Sequence, residues 1–176
     1  GTLNLEAFDL GNDVSNVTIK NCNITDWDVG VEADDGTNNE LYIFNNTFVD
    51  TGGISNGAPA IIVSFGSDIQ IINNSFSEIT SNQNSAITLQ KTSNVDIINN
   101  NISCSWKAIY KAGISVINEN ITILDNTLNS TTGNYEGIII NSPGSGGLYL
   151  NNLNIRNNTI IGFEDGISLS SEYGAI

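Results

Sequence analysis

An eight-residue phrase recurs along the whole chain, and it constrains the fold more than any other feature. In each copy, apolar residues alternate with other residues, an asparagine pair or close variant follows, and an apolar residue ends the phrase. The six copies are VTIKNCNI (17–24), LYIFNNTF (41–48), IQIINNSF (69–76), VDIINNNI (95–102), ITILDNTL (121–128) and LNIRNNTI (153–160). Their central isoleucines lie 24 to 32 residues apart, an interval typical of solenoids.

A second, shorter apolar phrase lies between these copies. Near Trp106 its register is ambiguous, because both AIYKA (108–112) and GISVI (113–117) fit. Each unit therefore predicts a strand, an asparagine turn, a short second strand, a variable loop and a third strand. The clear copies of the shorter phrase are AIIVS (60–64), AITLQ (86–90), GIIIN (137–141) and GISLS (166–170), and the weaker ones are AFDLG (7–11) and GVEAD (30–34).

The chain holds 29 asparagines and 27 isoleucines, an unusual excess of both. Isoleucine favours strands, whereas asparagine tolerates a backbone with positive φ. We therefore expect each asparagine pair to bend the chain between two strands and to bond its equivalent one coil away. Cys22 takes the equivalent place in the first copy. The predicted ladder consists of Asn46, Asn74, Asn100, Asn126 and Asn158.

These phrases, repeated over residues 7–170, resemble the right-handed parallel β-helices of the pectate-lyase-like superfamily. The resemblance implies an all-β solenoid of about six coils with open ends, formed by residues 1–176 as a single domain. In that superfamily's terms, the GIxL phrase would form the first sheet and the IxI phrase the second. The superfamily includes lyases, hydrolases, adhesins, phage spikes and surface-layer proteins, so the fold leaves function open.

The resemblance also implies where a catalytic site would lie, namely on the outer face of the first sheet. Calcium-dependent lyases use Asp ligands with an Arg or Lys base there, and hydrolases use clustered Asp residues with a His and a basic clamp. This chain has no histidine, and its only arginine, Arg156, falls on the second sheet. We predict no catalytic residues and no enzyme activity. The outward residues of the first sheet read Glu32, Ile62, Thr88, Ile139 and Ser168, with Tyr110 or Ser115 in the ambiguous coil.

The densest acidic stretch is DWDVGVEADDG, residues 26–36. Its side chains supply the oxygen ligands that calcium prefers, although their spacing matches no recognised calcium loop. A solvated acidic loop is the favoured interpretation, calcium is the alternative, and no other cofactor is expected. Trp27 in this stretch is expected to pack in the core. The candidate calcium ligands are Asp26, Asp28, Glu32, Asp34 and Asp35.

Four large apolar residues share one outward column of the second sheet, with Lys20 and Arg156 at its two ends. An apolar stripe of this kind is a liability on a monomer. We expect a copy of this chain, a neighbouring domain, or one of the loops 51–59 and 142–151 to cover it. Neither end has a capping helix, which favours end-to-end stacking, or else a piece of a longer solenoid. The predicted interface residues are Phe44, Ile72, Ile98 and Leu124.

The charge balance argues against several partners. With 19 acidic and 5 basic residues, the formal net charge is −14, which would repel nucleic acid and anionic lipid surfaces. No apolar run is long enough to insert into a membrane. Cys22 and Cys104 lie three coils apart, about 14 Å, too far for a disulfide between them. They are expected to be inert buried thiols, with a bridge between subunits as the alternative.

Eight N-x-S/T sequons favour an extracellular protein, although an asparagine bend generates such sequons by itself. The predicted glycosylation sites are Asn16, Asn120 and Asn129 outside the bends, and Asn45, Asn73 and Asn157 within them. The function that fits best is a non-catalytic subunit of a cell-surface layer, sheath or filament that polymerises with copies of itself. Two alternatives stay open: a carbohydrate-binding or carbohydrate-cleaving domain with its site at 26–36, and a segment of a long surface adhesin.

Overall fold

The structure is a computed structural model that describes residues 5–34, 36–51, 58–80, 85–113, 120–142 and 152–171. In these ranges the chain forms β-strands, numbered in chain order, that pair in parallel in three sheets. The first sheet contains β1 (Glu6–Asp9), β4 (Val29–Ala33), β7 (Ile61–Ser64), β10 (Ile87–Gln90), β13 (Ile109–Ala112), β16 (Glu136–Ser142) and β19 (Asp165–Ser171).

The second sheet carries the longer apolar phrase, and the third sheet follows it after the bend. The second contains β2 (Ser15–Lys20), β5 (Asn38–Phe44), β8 (Gly66–Ile72), β11 (Ser93–Ile98), β14 (Ile121–Leu124) and β17 (Leu153–Arg156). The third contains β3 (Asn23–Thr25), β6 (Thr47–Val49), β9 (Ser75–Ile79), β12 (Asn101–Cys104), β15 (Thr127–Ser130) and β18 (Thr159–Ile161).

The strand register confirms the predicted all-β solenoid. Each central isoleucine pairs with the central isoleucine one coil away, from Ile19 to Ile155. Five full turns separate these two residues, so six coils are stacked. In the ambiguous coil the chain uses AIYKA, which places Tyr110 between Thr88 and Ile139 in the outward column. Lys111 then takes an inward position and is buried.

The core consists of identical or similar side chains stacked from coil to coil. The isoleucines of the second sheet are fully buried in the middle coils. In the third sheet the rings of Phe48 and Phe76 stack with centroids 4.7 Å apart and planes 4° apart. Trp27 departs from this pattern. It is 38% exposed in the first coil, so the expectation that it packs in the core was wrong.

The bend between the second and third sheets, here called the Asn corner, explains the asparagine pairs. Its first residue has a left-handed backbone with φ between 53° and 58° in all six coils, a region that asparagine and aspartate tolerate. Its second residue is the ladder residue, which is buried in the middle coils. The left-handed residues are Asn21, Asn45, Asn73, Asn99, Asp125 and Asn157.

The predicted ladder is confirmed, and one junction shows its chemistry. The backbone N–H of Asn74 donates to Oδ1 of Asn100 at 2.9 Å, and Nδ2 of Asn74 donates to the same oxygen at 3.1 Å. Nδ2 of Asn100 donates in turn to the carbonyl oxygen of Ile71 at 2.8 Å. The same three bonds join Asn46 to Asn74, Asn100 to Asn126, and Asn126 to Asn158. The amides therefore satisfy backbone groups that the bend would otherwise leave buried and unpaired.

Replacing Asn100 with alanine should lower the free energy of unfolding by about 2–4 kcal/mol, because it strands the buried N–H of Asn74 and the carbonyl of Ile71. The change is measurable by urea denaturation followed by circular dichroism. Asn101→Ala is the matched control, since Asn101 is the exposed next residue on β12; it should cost less than about 0.5 kcal/mol. Equal losses from the two variants would contradict this account of the ladder.

Candidate functional site

The outer face of the first sheet has the predicted order of residues, and two of its outward side chains are buried. Thr88 is 2% exposed and Ile139 is 6% exposed. The hydroxyl of Thr88 bonds that of Ser85 at 2.7 Å, and Ser85 is itself buried. The hydroxyl of Thr88 is therefore engaged within the protein.

Carboxylates meet at one end of that face. Glu32 on β4 is half-buried, and burial raises its pKa from 4.5 to about 7, with further contributions from Asp34 and Glu6. Like charges and partial burial both disfavour the ionised form. The structure thus brings together two of the predicted calcium ligands, Glu32 and Asp34, with Glu6, which sequence reasoning did not select.

The other predicted calcium ligands have no interaction with Glu32 among those that shift its pKa, or lie outside the described residues. Asp26 has φ 63° in the turn after β3. Asp28 accepts a hydrogen bond from the N–H of Leu5 at 3.3 Å, and residue 35 is not described. Within the described part of the chain, no three His, Cys, Asp or Glu side chains are arranged to hold a metal ion. The calcium site stays a prediction, for which calcium titration of the whole protein is the test.

The raised pKa of Glu32 has a consequence for stability. Between pH 4.5 and about 7 the folded protein holds this proton more tightly than the unfolded chain does, so its contribution to stability falls as pH rises through that window. Glu32→Gln should therefore stabilise the protein more at pH 8 than at pH 4.5. Thermal unfolding of both proteins at the two pH values measures the difference. The same difference at both would contradict the raised pKa.

The outer face of the second sheet is organised in three parallel rows, one residue per coil. The apolar stripe is the first row, and its predicted members are adjacent in register and half-buried. Next to it, the middle row contains Thr18, Tyr42, Gln70, Asp96, Thr122 and Asn154. The outermost, or amide row, contains Asn16, Glu40, Asp68, Asn94, Asn120 and Asn152.

The amide row forms a second, exposed ladder. Nδ2 of Asn94 donates to Asp68 at 3.1 Å, Nδ2 of Asn120 to Asn94 at 2.8 Å, and Nδ2 of Asn152 to Asn120 at 2.9 Å. Sequence reasoning missed this row, although a signal was present. Each member stands three residues before a central isoleucine.

A shallow cavity of about 510 Å³, here called the trench, lies along the amide and middle rows. It combines one aromatic ring with three carboxylates and three amides. The ring of Tyr42 also stacks on Phe44 of the apolar stripe, with centroids 5.9 Å apart. The trench is lined by Glu40, Tyr42, Asp68, Gln70, Asn94, Asp96 and Asn120.

The predicted glycosylation sites differ in how free their amides are. Asn16, Asn45, Asn73, Asn120, Asn129 and Asn157 are all exposed. The amide nitrogen of Asn120 is engaged in the amide row, and the amide oxygen of Asn73 accepts a bond from Asn99 at 2.6 Å. Attachment of a glycan requires the amide nitrogen, so Asn120 is the least suited of the six. Modification itself stays a prediction.

The two cysteines are free thiols in different environments. Cys104 is buried, and burial raises its pKa to about 12, so this thiol stays protonated and unreactive. Cys22 is half-buried, so only Cys104 fits the expectation of an inert buried thiol. The backbone N–H of Cys22 donates to Asn46, which makes it the first member of the ladder.

Apolar residues are also exposed in the last described coil. Ile167 and Leu169 pair with the fully buried Ile138 and Ile140, yet they are 48% and 54% exposed. They occupy inward positions of β19, with no described coil stacked on them. Core-facing side chains are therefore exposed on β19, the last strand that the structure describes.

Three stacked parallel sheets joined by a repeated Asn corner define a parallel β-solenoid. A family model described as a right handed beta helix region matches residues 10–176. The chain therefore belongs to the right-handed β-helix family, whose members include both enzymes and non-enzymes. Comparisons with curated proteins and with solved structures gave no match. Over the described residues, there is no helix with the length and apolar character to span a membrane.

Proposed function

We propose that this chain is a non-catalytic structural module of the cell exterior, a β-helix subunit of a surface layer, sheath or filament that associates side by side through the apolar stripe. The observation that carries the proposal is the continuity of the stripe over four successive coils. Its four side chains are half-buried, so part of each stays accessible. Covering them would remove further apolar area from water.

Charge also favours this face for contact between copies. The whole chain has a formal net charge of −14, so two copies repel each other over most of their surfaces. The three rows carry two cations, Lys20 and Arg156, against the carboxylates of Glu40, Asp68 and Asp96. This face is therefore close to neutral. Salt screens the remaining charges beyond about 8 Å, so association should strengthen as ionic strength rises.

Side-by-side contact is better supported than end-to-end stacking in register. A copy stacked in register on the sixth coil would place its Cys22 above Asn158, at the position that the next ladder asparagine would occupy. Cys22 has neither the Oδ1 that accepts from the lower coil nor the Nδ2 that donates to an isoleucine carbonyl. Such a junction would lose all three bonds that every Asn–Asn junction makes, at a cost of about 1 kcal/mol or more for each.

The size of the face sets the strength of the contact. Six coils at about 4.8 Å and strands of about five residues at about 3.3 Å give about 475 Å² per copy. Two copies would bury about 950 Å², below the roughly 1,200 Å² of a stable specific interface. A single contact is therefore weak, which suits a module held in a repeated array where many contacts act together. A segment of a long adhesin would use the face in the same way.

Ile98→Asp should abolish association, because it places a charge at the centre of the stripe. The measurement is sedimentation velocity up to about 1 mM protein, since contacts of this size are weak. Ser103→Asp is the matched control, because it adds the same charge on the outer side of β12 in the third sheet and should leave association unchanged. A wild-type protein that stays monomeric throughout, at low and high salt, would overturn the proposal.

The trench supports a second candidate function, the binding of a neutral glycan. Neighbouring amides and carboxylates suit sugar hydroxyl groups, and an aromatic ring offers an apolar surface for a sugar face. The three carboxylates in the trench would repel an acidic polysaccharide. This site is on the second sheet, not at the acidic stretch 26–36 that the sequence suggested.

Tyr42→Ala should reduce binding of neutral gluco-oligosaccharides at least tenfold if the trench holds a glycan, since an aromatic contact of this kind contributes about 1.5 kcal/mol. Isothermal titration calorimetry measures the affinity. Tyr110→Ala is the control, because Tyr110 lies on the first sheet. No heat with the wild-type protein, or equal losses in both variants, would exclude the trench as the site.

A further inference from the structure

We infer that two copies pair face to face across the second sheet with antiparallel solenoid axes. The two-fold axis lies in the interface, perpendicular to the solenoids, between the third and fourth coils. This inference rests on the side-by-side association proposed above and adds the partner's orientation. The face itself carries the argument, because its residues become complementary in this arrangement and not in the parallel one.

An antiparallel two-fold keeps each row opposite the same row and reverses the order of the coils. In the apolar stripe, Phe44 of the second coil faces Leu124 of the fifth coil of the other copy. Ile72 of the third coil faces Ile98 of the fourth. The larger residue at one end of the stripe thus meets the smaller one from the other end, and the four apolar residues cover one another completely.

The polar rows are complementary under the same operation. In the amide row, Glu40 faces Asn120 of the other copy, and Asp68 faces Asn94. In the middle row, Asp96 faces Gln70. Each of the three carboxylates on this face is therefore opposite an amide.

The amides opposite Glu40 and Asp68 can donate further hydrogen bonds. An amide nitrogen carries two N–H groups, and Asn94 and Asn120 each use one along their own ladder. The second N–H of each is available to a carboxylate across the interface. A hydrogen bond to a charged acceptor is worth more than one between neutral groups.

A parallel pair lacks this complementarity. Its two-fold axis runs along the solenoids, so every coil faces the same coil and the order of the rows is reversed. The amide row of one copy then lies towards the Asn corner of the other, and the carboxylates meet no amide row. The cations do not distinguish the two arrangements, because Lys20 and Arg156 face another cation in both. Both are exposed at the ends of the face, where long side chains can turn aside.

Spin-label distances test the orientation directly. Lys20 and Arg156 lie in the first and sixth coils of the same row, outside the apolar residues. Each is replaced by cysteine and labelled in a Cys22→Ser, Cys104→Ala background, and pulsed electron resonance is recorded at a concentration where sedimentation shows association. In the antiparallel pair, two labels at position 20 lie five coils apart, about 24 Å along the axis. A label at position 20 mixed with one at position 156 should be much closer.

The opposite pattern, with short distances between two labels at position 20 and long ones in the mixture, would overturn the antiparallel pairing and leave side-by-side association standing. Distances that Ile98→Asp does not abolish would place the contact elsewhere and overturn it too. A monomer in the unmodified protein would defeat the proposed function as well as the orientation. If added gluco-oligosaccharide dissociates the pair, the sugar competes with the second copy for the trench, which places the trench within the contact.

A charge substitution provides a second, independent test. Asn120→Asp places a new carboxylate opposite Glu40 of the other copy at two symmetric points, so association should weaken at least fivefold at low salt and recover as salt rises. Asn16→Asp adds the same charge in the same row, but it faces Asn152 and should have little effect. Equal weakening by the two variants would contradict the antiparallel register.

Discussion

The hydrogen bond from one ladder asparagine to the next is the interaction on which the rest of the structure depends. A chain that turns every few residues must bury the polar backbone of its bends, and water cannot reach the inside of the Asn corner. One amide per coil solves this, because it accepts from a backbone N–H of the preceding coil and donates to a backbone carbonyl of that same coil. The bond also fixes the register, since an amide displaced by one residue would find no partner. Strands of all three sheets then align, even though the loops between them differ in length.

A fixed register converts a sequence repeat into rows of side chains. Each outward position becomes a line along the solenoid, and its chemistry is set by the residues at one place in the repeat. On the second sheet this produces the apolar stripe, the middle row and the amide row within one face. A partner of this face would therefore contact lines of side chains along the solenoid. A partner with groups arranged in a similar line would match it best. A second copy of the same face meets that requirement, and an extended glycan meets it through the trench alone.

The sequence predicted the solenoid, the central isoleucines and the ladder, because these depend on local patterns that repeat six times. It could not choose the coil around Trp106, since both phrases fit and only the stacking of β13 between β10 and β16 decides. AIYKA brings Lys111 into an inward position, which a hydrophobic pattern disfavours. Trp27 was also misplaced. Its equivalent Ile79 in the third coil is buried, whereas Trp27 in the first coil is exposed.

The candidate sites were harder to predict than the fold, because they join residues that are neighbours only through the register. The acidic stretch 26–36 was selected because its acidic residues are close together in the sequence. In the structure Glu32 interacts with Asp34 and also with Glu6, which lies outside that stretch. The trench residues are dispersed along the chain, because each coil contributes only one or two of them.

That spacing bears on function. Carboxylates gathered in one loop repel each other and favour a cation, whereas Asp68 of the amide row accepts a hydrogen bond from the neighbouring amide of Asn94. Such a row accepts further hydrogen bonds from outside without a cation. The second sheet is therefore better suited than the acidic stretch to binding a neutral partner, and the near neutrality of the face allows that partner to be another copy of this strongly acidic chain.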